Sequence, residues 1–478
     1  MREDSELIAR GLPLEPDRPA VEAMGRAVLG RVAAYAESAA HAPASHPAEK
    51  GPALDDLLRP PPEGPGDLDA LLDVFDGAAR QGVDTSSPGY LAYFPAGGLV
   101  SSALGELLAQ IYNRFTGVAD LAPALVAMEH GVLRWLCEEF ALPPGSVGIT
   151  TTGGSMATLS ALVAARHDRL GDAIASGTLY ATEHTHFCVE RAARIAGLPD
   201  SRLRIVPTSG LRMDPSAARD MIRADRARGL RPFLLVGTAG STSTGTIDPL
   251  PELAALARAE DLWFHVDAAY GGGFQLTRRG RARMAGIEHA DSIVLDPHKS
   301  LFLQYGTGVL LVRNAGALAR AHRGGGHYVQ DVRAVGDLPD YGYLGAELTR
   351  DFRGLRLWLP LHLHGVAAFR AALDEKLDLA RHAHADLADD PLLDVPWEPD
   401  LTVVTFRMRG GEEPTLRLLE RVNATGRIFV SSTRVEDRLL LRINPTSHRT
   451  RADHLQRALA LIHEQARKSV STTLDDHR

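Results

Sequence analysis

From about Gly89 to Leu311, apolar runs of strand length alternate with longer helical stretches. The strand-like runs are Ser146–Thr151, Gly177–Ala181, Leu203–Val206, Phe233–Val236, Trp263–Val266, Ser292–Leu295 and Gly308–Val312. This alternation predicts an α/β fold: a mostly parallel seven-stranded sheet covered by helices. Parallel strands need crossovers, and sites form beyond their carboxyl ends.

The flanks read differently. Val21 to Ala40 and Leu68 to Gln81 have helical patterning, and the proline-rich Ala42 to Pro65 reads as an extended connector. Ala321 to Gly342 is poor material for regular structure, and Gly324-Gly325-Gly326 leaves its backbone free, as a mobile loop requires. Arg353 to Leu377 is helical, with an interruption or kink expected at Pro360. After Pro391 the signals shorten: strands at Leu401–Met408, Ile428–Thr433 and Arg438–Ile443, helices at Thr415–Thr425 and Ala452–Lys468. The expected division is an N-terminal helical segment over 1–88, a large domain over 89–365 and a small α+β domain over 366–478.

A chain of 478 residues with 45% hydrophobic content has ample material for more than one core. The formal net charge of −8 carries no basic excess pointing to nucleic acid. Two cysteines cannot build a disulfide framework and fit a reducing cytoplasm. The N-terminus is acidic and polar, unlike a signal peptide, and no apolar run is long enough to span a bilayer. A cytoplasmic protein with no membrane or metal association is the expectation.

The chemistry starts at Lys299, in Asp296-Pro297-His298-Lys299-Ser300, just after the run Ser292–Leu295. Asp267 ends another such run, in His265-Val266-Asp267-Ala268-Ala269-Tyr270. A lysine and a carboxylate at the ends of buried strands can meet in space. Pyridoxal 5'-phosphate (PLP) needs that pair, one for the Schiff base and one for the pyridinium nitrogen. Taken alone, each has a plainer role: most lysines are solvated, and aspartates often cap helices. Thr150-Thr151-Thr152-Gly153-Gly154-Ser155 follows a strand and opens a helix, where free amides and the helix N-terminus favour a phosphate. No Gly-x-Gly-x-x-Gly opens a helix with a downstream acid, which excludes a dehydrogenase fingerprint.

The paired Lys299 and Asp267 motifs resemble the group II PLP-dependent amino-acid decarboxylases of the aromatic-L-amino-acid decarboxylase type. The resemblance runs from about Tyr90 to Leu461, in family order. It implies the fold-type I (aspartate-aminotransferase-like) architecture and a homodimer with shared active sites, around which the N-terminal helices wrap the partner. It places Gly154 and Ser155 on the cofactor phosphate, with His298 and Asp296 near it, although many relatives carry an acid where this chain has Met156. It places Ala269 under the ring, and selects His186 rather than His184 as the imidazole stacked on the pyridine face. Thr238-Ala239-Gly240-Ser241-Thr242 resembles the family's Thr-x-Gly-Thr-Thr, with Thr242 beside the cofactor or the substrate carboxylate.

The stretch His327 to Arg353 resembles the family's mobile catalytic loop and the Phe-Arg-x-Leu-x-x-Trp segment after it. It makes Tyr328 the proton donor to the α-carbon, a role that favours amine over aldehyde. Tyr93, Phe94 and Pro95 resemble a segment bordering the substrate pocket, where aromatic rings suit an aromatic side chain. Arg114 lies in the other expected wall, and Arg442 and Asn444 read as structural. The implied reaction is decarboxylation of an L-amino acid, aromatic by resemblance, to the amine and CO2 through a Lys299 Schiff base and a quinonoid. Three alternatives stay open: decarboxylation with oxidative deamination to an aldehyde, an acidic or aliphatic substrate, and a PLP-binding protein without turnover.

Overall fold

The computed structural model describes residues 14–46, 52–95, 97–324 and 333–475. Seven strands form the central sheet: β1 (Val147–Thr151), β2 (Gly177–Ala181), β3 (Leu203–Ile205), β4 (Arg231–Thr238), β5 (Trp263–Asp267), β6 (Ser292–Leu295) and β7 (Gly308–Val312). Their spatial order is β1-β7-β6-β5-β4-β2-β3. The run from β3 to β6 is parallel, while β7 lies antiparallel to both β6 and β1. Every residue of β1, β2, β5, β6 and β7 is buried, as expected of strands covered on both faces.

The helices that place the site are α1 (Arg18–Ser38), α2 (Leu68–Ala79), α3 (Val100–Tyr112), α4 (Pro123–Glu139), α5 (Gly154–Leu170) and α6 (Cys188–Ile195). Two more, α7 (Gly354–His364) and α8 (Val366–Ala388), follow the large sheet, and α9 (Ala452–Asp475) ends the described chain. The interruption expected at Pro360 is not there. Pro360 lies inside α7, and the break comes at Gly365, whose φ of 75° a β-carbon would strain. The reason lies one turn back. Proline removes the amide that would bond the Arg356 carbonyl, and the Ser102 hydroxyl of α3 donates to that carbonyl instead, at 2.9 Å.

The C-terminal sheet is antiparallel, with β8 (Leu393–Asp394), β9 (Val404–Met408), β10 (Ser431–Val435) and β11 (Arg438–Ile443) in the order β8-β9-β11-β10. Helix α8 and the Tyr90 segment are among the features that join it to the large sheet. Phe369, Leu373 and Leu377 of α8 pack in the large core, and Leu379, Ala380, Ala383 and Leu387 of the same helix pack in the small one. The chain around Tyr90 also leaves the large core. Tyr90 bridges Phe429, the Leu91 amide donates to the Phe429 carbonyl (2.9 Å), and the Asn444 amide donates to the Leu91 carbonyl (2.8 Å). Beneath β1, Glu129 of α4 is fully buried against Arg350 (2.6 Å) and the Thr150 hydroxyl (2.7 Å), pinning the segment before α7 to the central sheet.

Candidate active site

The carboxyl ends of β4, β5 and β6, the first turn of α5 and the segment between β2 and α6 converge on one cavity of about 270 Å³. Gly154, Ser155, His186, Thr242, Asp267, Ala269, Asp296, His298 and Lys299 all line it. Of the three expected substrate-wall residues, Phe94 lines the cavity. Tyr93 is exposed and stands outside it, and Pro95 is buried away from it. Arg114 is exposed beyond the C-terminal end of α3. Tyr328 lies outside the described residues.

Lys299 sits on a single helical turn, Pro297–Ser300, that begins directly after β6. Proline opens the turn at no cost, because the first helical amide has no intrahelical partner. The turn aims Nζ at Asp296 Oδ2 (3.0 Å), and the ring of Phe94 lies 5.4 Å from the ammonium. Burial pushes the Lys299 pKa down, but the negative charges of Asp296 and Asp267 outweigh it and hold the value above that of an ordinary lysine. Asp296 is 3% exposed, its Oδ1 has no hydrogen-bond partner among the described residues, and its Oδ2 lies 3.7 Å from His298 Nε2. His298 Nδ1 pairs with the Thr307 carbonyl at 2.7 Å.

Asp267 ends β5. Its Oδ1 accepts from the Ala269 amide (3.0 Å), which fixes the carboxylate and sets Ala269 in the cavity floor. His186 Nδ1 accepts from the Cys188 amide at 3.1 Å, orienting the ring at the mouth of α6. Burial lowers the pKa values of both His186 and His298, so both rings are neutral near pH 7. His184, by contrast, does not line the cavity. Ser241 follows its plain turn role, bonding Thr244 (2.9 Å) and the Thr246 amide (3.2 Å), and leaves Thr242 to face the cavity.

Sequence reasoning missed several lining residues: Thr158, Cys188, Thr238, Gly240 and Tyr270. Thr238 and Tyr270 belong to motifs already singled out, so their place at a strand end was the available signal. Tyr270 packs on Phe94 with ring centroids 4.4 Å apart. Cys188 carries no comparable signal. Burial pushes its thiol up to about 12, which leaves it unreactive.

The residues fit a phosphorylated aldehyde cofactor. The N-terminus of α5 has no side-chain cap, so its first amides are open to an anion. Gly153 has φ 152°, and a β-carbon on Gly154 would lie 2.9 Å from Asp296 Oδ2 and 3.3 Å from Ala269 Cβ, so the cradle excludes side chains. Among the described residues the Thr238 hydroxyl, a buried polar atom beside the same space, has no hydrogen-bond partner.

Residues 58–409 match the family model described as the pyridoxal-dependent decarboxylase conserved domain. The chain belongs to this family. The decarboxylase is 32% identical over 413 residues to the aromatic-L-amino-acid decarboxylase of Bacillus atrophaeus, covering 84% of this chain and 86% of the relative. It is 34% identical over 430 residues to a tyrosine decarboxylase of Oryza sativa subsp. japonica, covering 83% and 81%. Among solved structures it is similar to the Oryza sativa TDC with PLP and tryptamine (TM-score 0.88, 26% identity, 96% and 99% covered). It is similar also to the Rhodiola rosea 4-hydroxyphenylacetaldehyde synthase (TM-score 0.87, 25% identity, 96% and 99% covered). The protein is thus a PLP-dependent carboxy-lyase of fold-type I, as the lysine and aspartate motifs led one to expect.

Proposed function

We propose that this decarboxylase converts an aromatic L-amino acid to its amine and CO2, with Lys299 as the cofactor lysine. The observation that carries the reading is the half-buried Lys299 in a cavity walled by the rings of Phe94 and Tyr270. Such a wall favours a flat apolar side chain. The names of the Bacillus and Oryza relatives point the same way.

Bound PLP supplies an electron sink for the pair left behind when the carboxyl carbon departs. The rest falls to the chain. Lys299 Nζ would hold the cofactor covalently. Gly154 and Ser155 hold the phosphate on their amides, with Asp296 and His298 beside it. Asp267, fixed by the Ala269 amide, would hold the proton on the pyridine nitrogen. His186 and Ala269, both lining the cavity, would flank the cofactor ring and keep water from it. Thr242 orients the substrate carboxylate. Tyr328 delivers the proton to the α-carbon.

The active unit in this proposal is a homodimer. Helix α1 is 21 residues long and buries none of them, leaving Val21, Met24, Val28, Leu29, Val32 and Tyr35 exposed. A helix with that much uncovered apolar surface needs a partner, and Leu107, Ile111 and Tyr112 of α3 are exposed as well. A reducing cytoplasm suits Cys137 and Cys188, both buried free thiols, and no helix among the described residues is long and apolar enough to cross a membrane.

A second reading has a specific observation behind it: relatives include a phenylacetaldehyde synthase of Arabidopsis thaliana, 27% identical over 427 residues. A substrate screen on PLP-loaded protein, read by mass spectrometry, separates the two. Amine from an aromatic amino acid supports the proposal, and aldehyde with peroxide replaces it with the oxidative branch. Tyr328→Phe should move the product from amine toward aldehyde. An unchanged ratio removes Tyr328 from the reaction.

A further inference from the structure

Asp296 stands out because it has two neighbours with opposite demands. Its Oδ2 is 3.0 Å from Lys299 Nζ, and the same oxygen lies against Gly154 in the anion cradle at the start of α5. A carboxylate is a poor lining for a phosphate site, because like charges in a buried space repel. It is a good partner for an ammonium, and its second oxygen, Oδ1, is buried with no partner among the described residues.

We propose that Asp296 is a counter-ion lock: it holds Lys299 as the ammonium in the cofactor-free chain, and its grip sets the pH at which the cofactor attaches. The inference rests on the reading of Lys299 as the cofactor lysine. Among the described residues the groups facing Lys299 are few. Asp267 approaches from the end of β5, His186 and Cys188 from the start of α6, and Asp296 and His298 from its own turn. Burial keeps His186 and His298 neutral and the Cys188 thiol protonated, so the two aspartates are the charges that matter. Asp296 alone has a hydrogen bond to Nζ among the described residues.

The attachment chemistry gives the lock its effect. The ammonium must first release one proton to solvent. The freed electron pair on Nζ then bonds the aldehyde carbon, and the aldehyde oxygen leaves as water with the two protons remaining on the nitrogen. Only the neutral amine can begin this sequence. A carboxylate at 3.0 Å makes the first proton harder to lose, and opposite charges this close typically move a pKa by about 1–3 units.

The test is the pH profile of cofactor attachment to the stripped protein, followed by absorbance and confirmed by borohydride trapping and peptide mapping at Lys299. Wild type and Asp296→Asn are compared with two probes, PLP and pyridoxal, which lacks the phosphate. The lock predicts that Asp296→Asn lowers the midpoint by about one unit or more with both probes, making attachment roughly tenfold faster at a fixed pH below the midpoint. An unmoved midpoint overturns it. So does a change seen with PLP but not with pyridoxal, since Asp296 would then act on the phosphate. No trapped linkage at Lys299 in wild type at any pH defeats the underlying reading and the lock with it, whereas linkage with an unmoved midpoint defeats the lock alone. If Asp296→Asn does not fold, competitive labelling of Lys299 in the stripped wild type decides. A titration midpoint above about 10.4 supports the lock, and one at or below it overturns it.

Discussion

Thr238 and Asp267 stand opposite each other in register at the carboxyl ends of neighbouring parallel strands, and both face the cofactor cavity. The Ala239 amide donates to the Asp267 carbonyl at 2.8 Å, so the two strand ends are locked together just where the side chains turn into the site. The Asp267 carboxylate is 6% exposed and held by the Ala269 amide. Its position therefore comes from the sheet, and its charge can be changed without moving it.

Asp267→Asn keeps that geometry and removes the charge. A hydrogen bond to a charged group contributes about 1.5–3 kcal/mol, so turnover should fall roughly 10- to 100-fold with the fold intact. Steady-state rates at saturating PLP, beside a circular dichroism spectrum, check this. Undiminished turnover would take Asp267 out of the chemistry.

Gly154→Ala puts a β-carbon 2.9 Å from Asp296 Oδ2 and 3.3 Å from Ala269 Cβ. The helix itself tolerates alanine well, so the loss should fall on cofactor affinity. The PLP dissociation constant is expected to rise about tenfold or more, the cost of a misplaced hydrogen-bonded anion being at least ~1.4 kcal/mol. Titration of stripped protein with PLP measures it.

Glu129→Gln leaves Arg350 buried without its carboxylate. Breaking such a pair costs about 3–5 kcal/mol, far above the usual surface substitution. Chemical denaturation should show the loss. A double replacement of Glu129 and Arg350 by apolar residues should be milder than the single change, because no buried charge is then stranded.

Acid should weaken the fold through two buried histidines. Burial lowers His265 to about 4 and His448 to about 3. In the unfolded chain both titrate near 6.5. Above that pH neither state takes up the proton. As the pH falls below about 6.5 the unfolded chain binds protons that the native one refuses, and stability drops until the native pKa values are reached. At pH 5 the expected loss is roughly 1–2 kcal/mol per histidine, visible as a lower urea midpoint than at pH 7. Replacing His448 by glutamine should flatten that dependence.

The seven central strands were legible because strands buried on both faces give continuous apolar runs, and all seven fall within about two residues of the expected bounds or extend them. Lys299, Asp267, Gly154 and His186 were legible for a related reason: each follows a strand end, and the motif fixes which residue reaches the cavity. No interruption falls at Pro360 because local propensity knows nothing of Ser102, a residue far away in sequence that satisfies the freed carbonyl. The β10 strand begins at Ser431 rather than Ile428 because Phe429 pairs with the Tyr90 segment instead. Tyr93 looked like a pocket residue by its neighbours, yet its carbonyl accepts from Asn444 and Arg442 and its backbone turns through φ 48°, which sends the ring outward.

The Tyr90 segment divides responsibility within the site. Lys299, Asp267, Asp296 and Gly154 are held by the large sheet, while Phe94 hangs from a stretch of chain hydrogen-bonded to the C-terminal sheet. Under the proposed function, the part that recognises a side chain and the part that performs the chemistry would therefore rest on different foundations. On that reading, a substitution in β10 or β11, neither of which lines the cavity, would retune which amino acid is accepted and leave the reaction untouched. Selection can explore new substrates on this scaffold without first dismantling its catalyst.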